Sequence, residues 1–202
     1  MTRIRPFRPG DEPALVEICL KTADAGADAT GILDDDDLWA EIFVLPYAAR
    51  HPEFAFVVEA DDGRVVGYIV GAPDSAAFEE WFATEWWPRR ADRWPRPPGE
   101  ESSADSRQDG ILRYAHARAG GAQPFGDDYP AHLHIDLLPE TQGQGLGRRL
   151  IETLEDALRA AHVPGLHLVA SADNTGAIAF YPRVGFEALA SPEGTQVFAK
   201  RL

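Results

Sequence analysis

The stretch LLPETQGQGLGRRL, Leu137 to Leu150, decides how this chain is read. An apolar run leads through Pro139 and Glu140 into three glycines, Gly143, Gly145 and Gly147, which alternate with Gln144 and Leu146. A run of helical character follows. Glycine loses more chain entropy on folding than any other residue, so a loop that uses three of them needs backbone that side chains would block. A glycine-rich turn from a strand into a helix is a ready anion cradle, because bare amides and the helix dipole face the same space. The dinucleotide fingerprint fails, since the required third glycine would stand at Arg148. The Gly-Lys-Ser/Thr of a nucleotide-triphosphate loop is absent. On these residues alone, an empty structural turn and a phosphate cradle both stay open.

The flanks give the loop its setting. AHLHIDLL, residues 131–138, alternates, with His132, His134 and Asp136 on one face of a strand and Leu133, Ile135 and Leu137 on the other. After the loop, Leu150, Ile151, Leu154, Ala157 and Leu158 share one helical face. GLHLVAS reads as the next strand, NTGAIAFYPRVGF as a short helix and turn stopping near Gly185, and TQVFAKRL as a closing strand. The second half therefore reads β–loop–α–β–α–β–β.

In the first half, residues 2–7 read as an opening strand and Asp11 as the N-cap of a helix that carries Leu15, Ile18 and Cys19 inward. Asp34–Asp37 precede a helix expected to run to Val44, with Pro46 near its end. Carboxylates there favour the helix dipole, and the alternative is attraction of a basic partner. Residues 54–59 and 65–71 flank Asp62-Gly63 and form a hairpin. A helix is expected over residues 76–87, then a Pro-rich excursion, then a short helix ending at Gly120. Residues 73–128 are one insertion between strands, so the whole chain, 1–202, is a single domain. Trp81, Trp86, Trp87 and Trp94 in it are open to three readings: an acceptor pocket, a satellite core or a dimer surface.

Composition excludes several classes. The chain has 202 residues, 45% apolar and 26% charged, with a formal net charge of −14. Such a surface repels nucleic-acid backbones and anionic lipid, so neither nucleic acid nor membrane is an expected partner. One cysteine, Cys19, allows no internal disulfide and no multi-cysteine zinc site, and no metal is expected. The longest apolar stretch, VVGYIVGA, is far short of the roughly 18 residues that span a bilayer. No signal peptide is visible at the N-terminus, and a cytoplasmic location is the expectation. Cys19 is expected to pack in the core rather than act as a nucleophile.

QGQGLG, with Gln142, Gly145 and Gly147, resembles the Gln/Arg-x-x-Gly-x-Gly/Ala signature of the GNAT superfamily of acyl-CoA-dependent N-acyltransferases. NTGAIAFYPRVGF resembles a second superfamily segment through Asn174, Ala177, Phe180, Tyr181, Gly185 and Phe186. The likeness is strong from His132 to Phe186 and looser before. The insertion and PAHLHIDLLPETQGQGLG further resemble bacterial relatives of the acetyltransferase-like C-terminal domain of animal O-GlcNAc hydrolases. Those animal domains lack an intact pyrophosphate loop, whereas here it is intact.

The resemblance implies an α/β (α+β) fold: a central mixed, mostly antiparallel twisted sheet flanked by helices, with a long insertion before the acetyl-CoA-binding strand. It implies acetyl-CoA as cosubstrate, its pyrophosphate on the amides of Gln142, Gly143, Gln144, Gly145, Leu146, Gly147 and Arg148, with Gly145 and Gly147 leaving room for the phosphates. The pantetheine arm would lie along Ile135 and Leu137, with Asn174 as a polar contact and a strand N–H polarising the thioester. The acceptor is implied to be a small-molecule or peptide amine. An alkylammonium must lose a proton before it attacks, which makes Asp136 and His134 candidates for base or water relay. Tyr181 is the implied general acid for the CoA thiolate, and it also borders the cofactor. Three readings follow: an active N-acetyltransferase, a catalytically silent acetyl-CoA sensor or interaction module, or a binder of some other phosphate compound. A homodimer stays open.

Overall fold

In a computed structural model, which describes residues 2–99, 106–121 and 125–202, a seven-stranded sheet runs in the order β1-β2-β3-β4-β5-β7-β6. The strands are β1 (Arg3–Pro6), β2 (Ala55–Glu59), β3 (Val65–Ala72), β4 (Ala131–Leu137), β5 (Gly165–Ser171), β6 (Glu187–Leu189) and β7 (Thr195–Arg201). Every neighbouring pair is antiparallel except β4–β5. The helices are α1 (Glu12–Thr22), α2 (Asp37–Phe43), α3 (Leu45–Arg50), α4 (Ser75–Trp81), α5 (Arg107–Ala117), α6 (Leu146–Ala160) and α7 (Thr175–Phe180). The expected β–loop–α–β–α–β–β order holds.

Strand alternation sends residues to two cores. Tyr68 and Val70 of β3 face α1–α5 and pack with Leu15, Ile18, Leu38 and Tyr47. Ile69 and Leu133 face the other way, against Leu150, Leu154 and Leu158 of α6. The apolar stripe read on α6 is buried as its 3.6-residue period requires, with Ala157 only partly covered. Cys19 is buried in the first core, where removal from water pushes its thiol pKa up, so it is an inert packing residue in this fold.

Several local expectations change. Asp11 stands at the N-cap of α1, but its carboxylate makes no cap bond to the helix. It receives the Arg5 guanidinium at 2.7 and 2.8 Å and the Arg8 N–H at 2.9 Å. The second helix breaks at Val44 (φ −137°), and Pro46 opens α3 rather than closing α2, since proline is tolerated where a helix has no N–H to satisfy. The helix expected over 76–87 is three pieces: α4, a π-helical stretch Phe82–Trp86 and a tight turn Trp87–Arg89. α5 ends at Ala117, before Gly120.

Of the tryptophans at 81–94, Trp87 and Trp94 are core, and Trp81 and Trp86 pack half-buried against it. Phe82, Trp87 and Trp94 are buried in a stack, with ring centroids 5.7 and 6.2 Å apart. Arg118 lies 3.7 Å over Phe82 and forms a two-pronged ion pair with Glu79. The acidic run before α2 is answered from within the chain: Asp35 and Asp37 hold Arg93, and Asp35 also accepts from the Trp94 indole at 3.0 Å.

Candidate active site

The sheet opens where its one parallel pair begins. β4 and β5 pair only at Ala131–Leu166 and His132–His167 and then diverge, while β4 stays zipped to β3 up to Leu137. Leu138 N–H bonds to Val66 O at 3.1 Å, so the alternation of an antiparallel ladder gives the β3 side the main-chain groups of His134 and Asp136. Those of Leu133, Ile135 and Leu137 face the gap. The Leu137 carbonyl is taken there by the Gln142 side chain at 3.0 Å.

The glycine loop closes one end of the gap. Gly143 and Gly145 have φ of +73° and +76°, the left-handed region that excludes most side chains, and Gly145 is the N-cap of the 15-residue α6. A Cβ on either would meet open space, so their glycine requirement is conformational. Gly147 differs: a Cβ there would come within 3.1 Å of the Phe180 ring, so the third glycine lets α6 approach α7. The first backbone bond of α6 is Arg149 N–H to Gly145 O at 3.2 Å. Among the described residues, no backbone bond takes the N–H groups from Gly143 to Arg148. These bare amides end a helix and face a cleft of about 600 Å³, a donor set suited to a diphosphate. The Arg148 side chain turns back to the Arg183 carbonyl at 2.7 Å.

A second cavity of about 320 Å³ adjoins the first; both are bordered by Thr22, Ile135, Asp136, Asn174 and Tyr181, and Trp39, Phe43, His134 and Cys19 line the second alone. The junction is thus where the sequence placed its candidates. Asn174 caps α7 through Oδ1, which accepts from Ala177 N–H at 2.9 Å, and its Nδ2 carries no bond among the described residues. Tyr181 packs on Phe186 and Phe198; its hydroxyl has no hydrogen bond among the described residues, yet it is not sealed, so it opens to the cleft. Burial and the nearby Asp136 push its pKa up, which keeps the phenol protonated.

Asp136 receives the Tyr68 hydroxyl from the directly opposed position of β3. Burial raises its pKa, and that hydrogen bond works against the rise. Burial lowers His134 to about 4, aided by the Arg118 cation, so its imidazole is neutral near pH 7. His132 is lowered well below the ordinary range, chiefly by burial. The two histidines share the Tyr47 hydroxyl, at 3.1 Å from His134 Nε2 and 2.8 Å from His132 Nε2.

Sequence reasoning missed the residues that line the second cavity or hold the β4 candidates. Trp39 and Phe43 of α2, Tyr47 of α3 and Tyr68 of β3 carry no recognisable motif. The available signal was Tyr68, the one residue with a polar tip inside an otherwise apolar strand, which demands a buried partner.

The mixed sheet thus splits beyond its one parallel pair, with bare amides at the mouth of the split. The model of the Acetyltransferase (GNAT) family matches residues 26–186, and the chain belongs to that family. It is similar to the crystal structure of SsHAT, at 37% identity over 99% of this chain and 98% of that one, with a TM-score of 0.90. The phosphinothricin acetyltransferase of Sinorhizobium meliloti, solved in complex with AcCoA, shares the fold at 16% identity and a TM-score of 0.58 over 100% of this chain and 88% of its own. The chain is also 22% identical over 191 residues to Protein O-GlcNAcase of Rattus norvegicus. That match takes in 95% of this chain and only 20% of the relative's length.

Proposed function

We propose that the protein transfers an acetyl group from acetyl-CoA directly to an amine. The observation that carries this reading is the run of bare amides from Gly143 to Arg148 at the N-terminus of α6, bordering the larger cleft. The pyrophosphate would accept from these amides. The arm would lie against the open edge of β4 at Ile135 and Leu137, with Asn174 Nδ2 as a further donor. The thioester would then reach the junction of the two cavities, beside Tyr181, Asp136 and His134.

The acceptor enters from the side of Trp39 and Phe43. The described lining of that cavity holds one carboxylate, Asp136, and no lysine or arginine, which favours an amine without a nearby anionic group. Asp136 and His134 are the candidates for receiving the amine's proton. Tyr181 is the candidate for returning one to the thiolate; its protonated resting state supports that role. Direct attack needs no enzyme nucleophile, in keeping with the buried Cys19. We also propose that residues 1–202 act as one domain, with 73–128 as an insertion.

A silent acetyl-CoA-binding module is the second reading, favoured by the likeness to part of O-GlcNAcase. Thermal melting with acetyl-CoA tests binding: both readings predict a rise in Tm, and no shift at millimolar ligand contradicts both. CoA release over a panel of primary amines then separates them.

A further inference from the structure

The hydrogen bonds around His134 form a chain with a fixed direction. It begins at the Pro130 carbonyl, which can only accept. Ser75 Oγ lies 2.7 Å from that oxygen, so its single hydroxyl proton is committed there. Ser75 Oγ must then accept from His132 Nδ1, also at 2.7 Å, which places the His132 proton on Nδ1. Neutral His132 is left with a lone pair on Nε2, which takes the Tyr47 hydroxyl proton across 2.8 Å. With that proton spent, Tyr47 can only accept from His134, so His134 carries its proton on Nε2, 3.1 Å away. Its Nδ1 is therefore the lone-pair atom. Among the described residues Nδ1 has no hydrogen bond. It is also not one of the sealed, unpartnered side-chain polar atoms, which are the indole nitrogens of Trp39 and Trp87, so it is reached from the cavity that His134 lines.

We infer that Ser75, His132 and Tyr47 are positioning residues that lock His134 in the Nε2–H tautomer and so present Nδ1 to the cavity as the acceptor of the amine's proton. This rests on the acetyl-transfer reading for its catalytic half and on the hydrogen bonds alone for its structural half. The groups facing His134 support it. On its own strand stand His132 and Asp136. Tyr47 comes from α3, Arg118 from beyond α5 with its charge answered by Glu79 of α4, and Phe43 of α2 lies edge-on at 5.7 Å, stacked in turn on Tyr114 of α5. Arg118 discourages a standing positive charge on either histidine, and a charged His132 would reverse the chain.

The proton balance closes. The ammonium sheds its first proton to water, and the amine nitrogen, made acidic as it bonds to the thioester carbon, gives the next one to His134 Nδ1. The free amine forms the C–N bond to the thioester carbon, and the C–S bond breaks. Tyr181 supplies a proton to the CoA sulfur, and its phenolate is reprotonated from water in the cavity. The chain ends on a carbonyl and cannot conduct, so the proton on His134 leaves through the cavity to water.

Nitrogen-15 NMR of the histidine-labelled, ligand-free protein near pH 7 tests the structural half without any activity. The expected result is His134 protonated on Nε2 alone, and an Nδ1–H tautomer or an imidazolium overturns the inference. Tyr47→Phe keeps the ring that stacks on Phe78 at 4.3 Å and removes the hydroxyl. It should give His134 a mixture of tautomers and, if acetyl transfer to an amine has been measured, lower kcat by up to about tenfold with acetyl-CoA affinity unchanged. A single Nε2–H tautomer persisting in Tyr47→Phe overturns the positioning role. Absence of turnover in the wild type, with the NMR result as expected, instead strikes the transferase reading.

Discussion

At the scale of single residues, the loop shows why one residue type recurs for different reasons. Gly143 and Gly145 answer to backbone angle and Gly147 to a neighbouring ring, a distinction that the letter G cannot carry. Placing alanine at Gly145 forces a left-handed φ that costs about 1–2 kcal/mol. Gly145→Ala should therefore weaken acetyl-CoA binding by about tenfold or more in a calorimetric titration; unchanged affinity would mean the loop does not hold the ligand. Tyr181→Phe keeps the packing on Phe186 and Phe198 and removes only the hydroxyl. Steady-state kinetics should show kcat lower by about 10²- to 10⁴-fold with acetyl-CoA affinity nearly constant. Equal kcat would take Tyr181 out of the chemistry. The glycines, Asn174 and Tyr181 were legible because they sit in local motifs. Tyr47 and Tyr68 were not, because their partners lie 85 and 68 residues away in the chain.

At the scale of elements, periodicity gave the strands and α6, and it failed where tertiary contacts override local preference. Residues 76–87 carry a continuous helical pattern, yet the chain rewinds after Trp81 so that Trp86 can donate to the Glu41 carbonyl at 2.9 Å and Trp87 can stack on Phe82. Glu41 lies 45 residues from Trp86, outside any local window of sequence. Of the three readings left open for the four tryptophans, the core one holds for two: Trp87 is 4% exposed and Trp94 3%. Trp87→Ala should cost about 3–5 kcal/mol in denaturant unfolding, the usual price of a large aromatic cavity. A loss below about 1 kcal/mol would show that the insertion folds apart from the main core.

At the scale of the whole molecule, acidity should act on stability in two stages. Burial depresses His132, His134 and His167, so the unfolded chain binds more protons than the folded one once pH falls below about 6.5. Stability is lost from there down towards pH 4, and Asp136, raised by burial, offsets part of that loss. Below about pH 4 a second loss follows. Asp11 and Glu59 are held below their ordinary values chiefly by hydrogen bonds from Arg5, so their contribution disappears as they protonate. Thermal melts between pH 7 and 3 should show Tm falling across both windows, and a flat Tm from 7 to 4 would contradict the buried neutral histidines. Among the described residues no helix is long and apolar enough to cross a membrane.

The same whole-molecule view ties the parted strands, β4 and β5, to the exposed amides of α6, and that junction is the core of the account. A crystal structure with acetyl-CoA tests it most directly. The account predicts the diphosphate within hydrogen-bonding distance of main-chain nitrogens between Gly143 and Arg148, and the thioester beside Tyr181. A diphosphate bound elsewhere, with those nitrogens left to water, would contradict it.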